Sequence, residues 1–288
     1  MNNLIRSIYF YLGLLILSFS LSSCGGGAAT PAAPTTSQGK FIDAAVQGIT
    51  YTSGGTTGLT GADGSFTYEN GQSVTFSIGG ITIGTASGNA IVTPVQLVSG
   101  AVNQTNDVVT NIVQFLLTID DDHDPSNGIQ ITPAIRTAAA GLSVDFTLGA
   151  TAFDTDNNVS NVVGILTTAS SLGNQVLVSN SAAQTHLSGS LFSILSGNYS
   201  GTYSGTDSGN WTVNIAVDGT VSGSGTANFD QSSFSITGSV TTSGTTNATA
   251  VGNAGSSSWA GAVDITSGSL TGNWAGVGDN GTFSGSKN

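Results

Sequence analysis

Four aspartates crowd into one short stretch, "IDDDHDPSNGIQI" at residues 119–131. Asp120, Asp122 and Asp124 alternate along it, and Ser126 continues the same spacing. Carboxylates this close repel one another unless water or a cation separates them, and Ca²⁺ prefers hard oxygen ligands on a tight loop. The stretch therefore predicts either a structural calcium site formed by Asp120, Asp122, Asp124 and Ser126 or a solvated acidic turn.

The stretch departs from the helix–loop–helix calcium pattern at two positions. Counted from Asp120, the sixth position holds Pro125, where that pattern has glycine. The twelfth holds Ile131, where the pattern has a bidentate acid. Because of these mismatches the acidic turn stays open beside the calcium site.

The aspartates at 120–124 also allow a catalytic alternative, a hydrolase. Two of the carboxyls would then have to share a cleft, with their pKa values pushed apart. The sequence has no G-x-S-x-G nucleophile motif. His186 lies beside Leu187 in a predicted amphipathic helix, which favours a packed structural histidine over a catalytic base. The residues therefore predict that the chain is not an enzyme.

Trp211, Trp259 and Trp274 form a second candidate group, for ligand binding. Aromatic side chains on the wet face of a sheet stack on sugar rings, and Asn, Ser and Thr bind sugar hydroxyls. Each tryptophan also falls in phase with aliphatic residues of its strand, a pattern that favours core packing. Glycan contact and core packing are therefore both open, and the periodicity favours packing.

Cys24 is the only cysteine of the chain, and it follows an apolar stretch at residues 8–21. That stretch is shorter than the about 20 helical residues that cross a bilayer, and it is typical of the apolar region of a secretory signal. The four residues 21–24, "LSSC", resemble the lipobox of bacterial lipoproteins.

This resemblance implies that the signal is cut before Cys24, that the cysteine sulfur carries a diacylglyceryl group, and that the new amine receives an acyl chain such as palmitate. Two or three acyl chains anchor a protein stably where one does not. Gly25, where an aspartate would favour the inner membrane, implies the outer membrane. We therefore expect a lipid-anchored protein of the bacterial outer membrane or cell surface, with the membrane as its first partner.

Composition narrows the partners. The 288 residues contain 4 Lys or Arg against 16 Asp or Glu, a formal net charge of −12. So few cations exclude a nucleic-acid partner, whose phosphates such a chain would repel. Glycine, serine, threonine and asparagine dominate instead, which is typical of exported bacterial β-proteins rich in tight turns.

Shifts in character along the chain predict its organisation. A signal is followed by a flexible tether, by an α+β domain with a β-module and a helical layer, and by an all-β domain. The predicted bounds are 1–23 for the signal, 24–39 for the tether, 40–196 for the α+β domain (β-module 40–92, helical layer 93–196) and 197–288 for the all-β domain. The fold class is therefore mainly β with a helical layer.

In the β-module, short β-prone runs are separated by Asp-Gly, Asn-Gly and Gly-Gly turns. Its segment 46–76 resembles the transthyretin-like, or carboxypeptidase-regulatory-like, modules of bacterial surface proteins. The resemblance rests on the pattern T-x-x-D-G-x-F, with Thr60, Asp63, Gly64 and Phe66. It implies a spacer or adhesive unit with no catalytic residues.

Helical spacing marks two segments of the next part, 106–119 and 181–195. Thr93-Pro94 and Thr132-Pro133 each pair an N-cap residue with proline at the first helical position, and so predict helix starts. The apolar faces are expected at Val109, Ile112, Val113, Leu116 and Ile119 in the first segment, and at Ala183, Leu187, Leu191 and Ile194 in the second.

From residue 197 onward, apolar and polar residues alternate with period 2 in about eight short runs joined by tight turns. The pattern predicts an antiparallel β meander that forms a small barrel or a sandwich, and frequent strand glycines favour the barrel. Function is predicted as a non-catalytic binding or structural module, adhesive or glycan-facing. An accessory subunit of an envelope complex is an alternative, which would carry a contiguous apolar patch on the barrel.

Overall fold

The computed structural model describes residues 33–288. Cys24, the predicted signal and the first part of the predicted tether lie outside the described residues. The described part is mainly β, with 17 strands and five α-helices, so the predicted fold class is confirmed. None of these five helices combines the length and apolar character that crossing a membrane requires.

Nine strands precede the barrel. They are β1 (Thr36–Phe41), β2 (Val46–Gln47), β3 (Thr50–Ser53), β4 (Thr56–Leu59), β5 (Ser65–Glu69), β6 (Ser73–Ile78), β7 (Ile81–Ser87), β8 (Ile91–Val92) and β9 (Ile129–Gln130). They form a sheet β5-β1-β8, a sheet β4-β3-β6-β7 and the parallel pair β2-β9. The predicted tether ends too late, because β1 begins at Thr36 and pairs along its length with β5.

The helices are α1 (Asp107–Thr118), α2 (Pro133–Ala138), α3 (Ala150–Thr155), α4 (Asn157–Thr168) and α5 (Asn180–Leu195). The predicted apolar face of α1 is buried, and its N-cap Asn106 accepts hydrogen bonds from the backbone N–H of Val108 and Val109. Thr132 caps α2 as predicted. On α5 the buried residue at the C-terminal end is Leu195 rather than Ile194.

One predicted helix start is wrong. Thr93-Pro94 opens a turn, not a helix. Both the backbone N–H and the hydroxyl of Thr93 donate to Oε1 of Gln96, at 2.8 and 2.6 Å. The Thr93 hydroxyl oxygen also accepts from the backbone N–H of Val95 at 3.3 Å, so the side chain closes a turn over residues 93–97 instead of opening a helix.

The C-terminal strands close into an eight-stranded antiparallel barrel, which decides between the predicted barrel and sandwich. Each strand pairs with the next, and the last pairs with the first. The strands are β10 (Gly197–Gly205), β11 (Gly209–Ile215), β12 (Thr220–Ala227), β13 (Ser233–Val240), β14 (Thr245–Gly252), β15 (Gly255–Val263), β16 (Ser269–Ala275) and β17 (Asn280–Lys287).

The barrel wall separates apolar from polar side chains. Aromatic and aliphatic residues face inward and form a hydrophobic core of their own. The exposed outer positions are nearly all hydroxyl or amide side chains, among them Asn210, Thr212, Asn214, Ser222, Ser224, Ser235, Thr237, Asn247, Thr249, Ser258, Thr271, Asn273, Thr282 and Ser284. Solubility of this wall therefore comes from neutral polar groups rather than from charge.

Inside the barrel, aromatic rings lie over glycines of the neighbouring strand. Five such pairs are directly opposite each other in the strand register: Tyr203–Gly209, Trp211–Gly201, Phe234–Gly225, Phe283–Gly272 and Trp274–Gly281. A Cβ on Gly201, for example, would lie 2.6 Å from the ring of Trp211. The same Cβ would lie closer still to the main-chain oxygen of Ser284, so these glycines make room both for large rings and for the close approach of adjoining strands.

The two ends of the barrel differ. At one end, the hydroxyl of Thr242 in the β13–β14 loop donates to Oε1 of Gln104, 2.8 Å away. Ile265 in the β15–β16 loop packs against both hydrophobic cores. This end is therefore docked on the N-terminal part. The other end, formed by loops 206–208, 228–232, 253–254 and 276–279, is called the mouth below.

Candidate functional site

The predicted calcium loop contains four carboxylates: Asp120 is buried, Asp121 accepts from the backbone N–H of Ser171 at 3.1 Å, and Asp122 and Asp124 bond within the loop. Asp120 is fully buried. Its Oδ1 accepts a hydrogen bond from the backbone N–H of Gln130 at 2.8 Å. Its Oδ2 is buried without a hydrogen-bond partner among the described residues. Burial raises the pKa of Asp120 to about 6.

The exposed carboxylates are held by the loop itself. Asp122 accepts from the backbone N–H of Asp124 at 3.0 Å and from the side-chain amide of Asn127 at 2.8 Å, and the latter bond is the main reason why its pKa is lowered. Asp124 accepts from the backbone N–H and the hydroxyl of Ser126. Within residues 33–288, no group of three or more His, Cys, Asp or Glu is placed to hold a metal ion. Calcium binding here stays a prediction.

His186 contacts an aspartate that sequence reasoning did not identify. Its Nε2 lies 3.5 Å from Oδ1 of Asp43, which is fully buried. Burial raises the pKa of Asp43 and lowers that of His186. The hydroxyl of Ser190 donates to the main-chain carbonyl of Asp43. These are the residue types of a catalytic triad, but the serine bonds to a carbonyl and the aspartate is sealed from solvent, which suits a packing role.

The three tryptophans all point into the barrel, where Trp211 is 2% exposed and Trp259 and Trp274 are each 6% exposed. The expectation of a wet outer face is therefore wrong, and the periodicity that favoured packing is right. The indole N–H groups of Trp211 and Trp274 donate to main-chain carbonyls of β10, Thr202 and Ser204.

Two of these tryptophans also line a cavity at the mouth of the barrel. The cavity has a volume of about 410 Å³. Its aromatic wall consists of Tyr203, Phe234, Trp259 and Trp274. The rings of Trp259 and Trp274 are stacked, with centroids 6.5 Å apart and planes 26° apart. Tyr203 meets Trp259 and Trp274 edge to face.

Polar groups surround this aromatic wall. They come from the mouth loops and the adjoining strand ends, and include Asp207, Ser232, Ser233, Asn253, Ser256, Ser257 and Asp279. The hydroxyl of Tyr203 donates to Oδ2 of Asp207 at 3.1 Å, which fixes both side chains at the cavity edge. Burial is the main reason why the pKa of Tyr203 is raised.

Trp211 does not line the mouth cavity. It lies deeper, with Phe283, around a void of about 20 Å³. The interior is therefore filled below the mouth, and the site is a cup rather than a channel.

Comparisons with protein-family models, with curated proteins and with solved structures found no match for this chain.

Proposed function

We propose that this protein is a lipid-anchored, non-catalytic binding module of the bacterial outer membrane or cell surface, and that its barrel mouth binds a saccharide. The observation that carries the proposal is the mouth cavity, which combines an aromatic wall with a rim of hydroxyl, amide and carboxylate groups. Its volume of about 410 Å³ falls within the range of about 300–1,000 Å³ of small-molecule sites.

A sugar ring suits both parts of this cavity. Its C–H face is apolar and packs against the aromatic surface that Trp259 and Trp274 present to the cavity. Its hydroxyls are equatorial donors and acceptors that Ser256, Ser257 and Asn253 can satisfy at the rim. Recognition of this kind needs neither a metal nor a catalytic group.

A glycan array followed by isothermal titration tests the saccharide proposal. The Trp274→Ala variant removes a cavity wall, while Trp211→Phe changes a tryptophan that lies below the cavity. We expect Trp274→Ala to weaken binding at least tenfold and Trp211→Phe to leave it within about twofold, with thermal melting used to confirm that both fold. Silence of the wild-type protein across the array would overturn the proposal.

The proposal of a lipid anchor is supported by the lipobox-like residues 21–24 and by the apolar stretch before them. Mass spectrometry of protein from its native host is expected to find Cys24 at the N-terminus with acyl chains attached. The Cys24→Ser variant is expected to leave the membrane fraction. An unmodified Cys24 with the leader still present would contradict the anchor without affecting the mouth site.

We do not favour the hydrolase alternative, because Asp122 and Asp124 accept hydrogen bonds from residues of their own loop and Asp120 is buried. An accessory role in an envelope complex remains a second candidate. Its support is two apolar side chains on mouth loops, Phe229 and Val277, which are 94% and 99% exposed. Crosslinking in cells is expected to capture an envelope protein with wild type and not with Phe229→Ser/Val277→Ser.

A further inference from the structure

The mouth of the barrel carries negative charge on three of its four loops. Asp207, Asp230 and Asp279 stand on the β10–β11, β12–β13 and β16–β17 loops. Asp207 and Asp279 line the cavity itself. The charges of Asp207 and Asp230 both act on the phenol of Tyr203 in the cavity wall and contribute to its raised pKa. Asp207 and Asp230 are therefore close enough to the aromatic wall to interact electrostatically with Tyr203.

Within residues 33–288, no cationic side chain compensates this charge at the mouth. Among the described residues that line the cavity, none is Lys, Arg or His. The described Lys and Arg side chains are engaged elsewhere. Lys40 pairs with Asp63, and Arg136 donates to the carbonyls of Gly48 and Ile131. Lys287 donates to the carbonyl of Ile194, at the docked end of the barrel.

The two cavity carboxylates differ in how far the protein already uses them. Asp207 accepts hydrogen bonds from the Tyr203 hydroxyl and from the backbone N–H of Ser208. The carboxylate of Asp279 makes no hydrogen bond among the described residues, although its main-chain carbonyl accepts one from Gly276. Of the two, Asp279 therefore has more free acceptor positions for a hydrogen-bond donor of a ligand.

Aromatic side chains and carboxylates line the same cavity, and together they favour a cation over a neutral group. An ammonium is attracted to the faces of Trp and Tyr. Its hydrogen bonds to a carboxylate are about twice as strong as neutral ones. We infer that the ligand of the mouth is a saccharide bearing a protonated amine, with the sugar ring on Trp259 and Trp274 and the ammonium directed to Asp279 and Asp207. This inference rests on the proposed saccharide function and names its ligand class.

Three β-1,4-linked tetrasaccharides that differ only at C2 test it. These are the glucosamine, N-acetylglucosamine and glucose tetramers, titrated calorimetrically into the full-length protein at pH 6, where the free amines are protonated. We expect the glucosamine tetramer to bind at least tenfold more tightly than the other two, and this preference to shrink as salt is added.

Matched charge variants separate the site from general attraction. Asp279→Asn and Asp207→Asn are expected to reduce the preference for the amine to threefold or less. Asp218→Asn makes the same charge change on an exposed loop at the docked end and is expected to keep the preference.

Each outcome has one meaning. Equal binding of the three tetramers by wild type would overturn the amine inference and leave the saccharide proposal standing. An equal loss in Asp279→Asn and Asp218→Asn would also overturn it, because net charge alone would then explain the preference. Binding of none of the three, together with a silent glycan array, would remove the saccharide proposal itself.

Discussion

Gly225 and Phe234 face each other directly across β12 and β13, and this pair limits what the barrel interior accepts. A Cβ on Gly225 would lie 2.5 Å from Cε2 of Phe234 and closer still to Cζ. The Gly225→Ala substitution therefore forces the ring to move. In a strand, alanine is otherwise preferred over glycine by about 0.5–1 kcal/mol, so a loss of stability in this variant reflects crowding by the Phe234 ring and by the main-chain oxygen of Asn210.

The size of the effect follows from the contacts. Overpacking by one methyl group in a filled interior costs about 1–3 kcal/mol, and we expect Gly225→Ala to lie in this range. Phe234 is half-buried. We expect Phe234→Ala to cost about 2 kcal/mol, roughly half of what a fully buried phenylalanine loses. Without the ring, the nearest remaining atom to the added methyl is the main-chain oxygen of Asn210 at 2.8 Å, so part of the cost of Gly225→Ala stays in the double variant.

A double-mutant cycle measured by urea unfolding tests the pair. Gly225→Ala is expected to cost less in the Phe234→Ala background than in wild type, with a coupling energy of at least about 0.5 kcal/mol. Gly238→Ala serves as control, because a Cβ there would meet Ala248 and the carbonyl of Asn247, not the Phe234 ring. It should show no coupling to Phe234→Ala. Additive effects of Gly225→Ala and Phe234→Ala would refute the explanation of the glycines as room for rings.

Asp43 is buried beside His186, and burial raises its pKa, so the folded state favours the protonated carboxyl. The protonated carboxyl contributes fully to stability below the pKa of Asp in the unfolded chain, about 3.9. This contribution is lost as the pH rises through the pKa of Asp43 in the folded state. Asp43→Asn is expected to raise the free energy of unfolding by about 1–3 kcal/mol at pH 8 and to leave it unchanged near pH 4, and a less stable variant at pH 8 would indicate a charged pair with His186 instead. Removal of the α1 cap by Asn106→Ala should cost about 1 kcal/mol in urea unfolding, whereas Asn106→Asp should cost little. Millimolar calcium is expected to raise the melting temperature of wild type and not that of Asp122→Ala, and an unchanged wild-type melt would remove the calcium prediction.

Periodicity predicted those elements whose own residues decide their structure. The α1 face from Val109 to Ile119 is buried because its spacing leaves one apolar stripe, and Asn106 caps it locally. The eight barrel strands follow from strict alternation bounded by tight turns, for example "NWTVNI" in β11. Such signals lie within a few residues of each other, so one sequence contains them in full.

Features that depend on distant partners were not predictable in this way. Asp43 contacts His186 only after folding brings the turn that follows β1 to α5, and no local pattern marks the pair. Thr93-Pro94 has the residues of a helix start, but Gln96 accepts from both the backbone N–H and the hydroxyl of Thr93 and closes a turn there. Likewise, "TSQG" at the start of β1 looks like linker until β5 supplies a pairing partner.

The tryptophans show why core packing and ligand binding are not exclusive alternatives in a narrow barrel. Trp211 and Trp274 each lie over a glycine of the neighbouring strand, by the same packing rule, at different depths. Below the mouth such rings fill the interior, because Phe283 packs edge to face against Trp211. At the mouth the strand residues that line the remaining space are small, among them Ala227, Gly252 and Ser257, and the same kind of ring becomes the wall of a cavity. The aromatic wall of the proposed site is therefore part of the barrel core. Variants that loosen the core next to it, such as Gly225→Ala, should weaken ligand binding as well as stability.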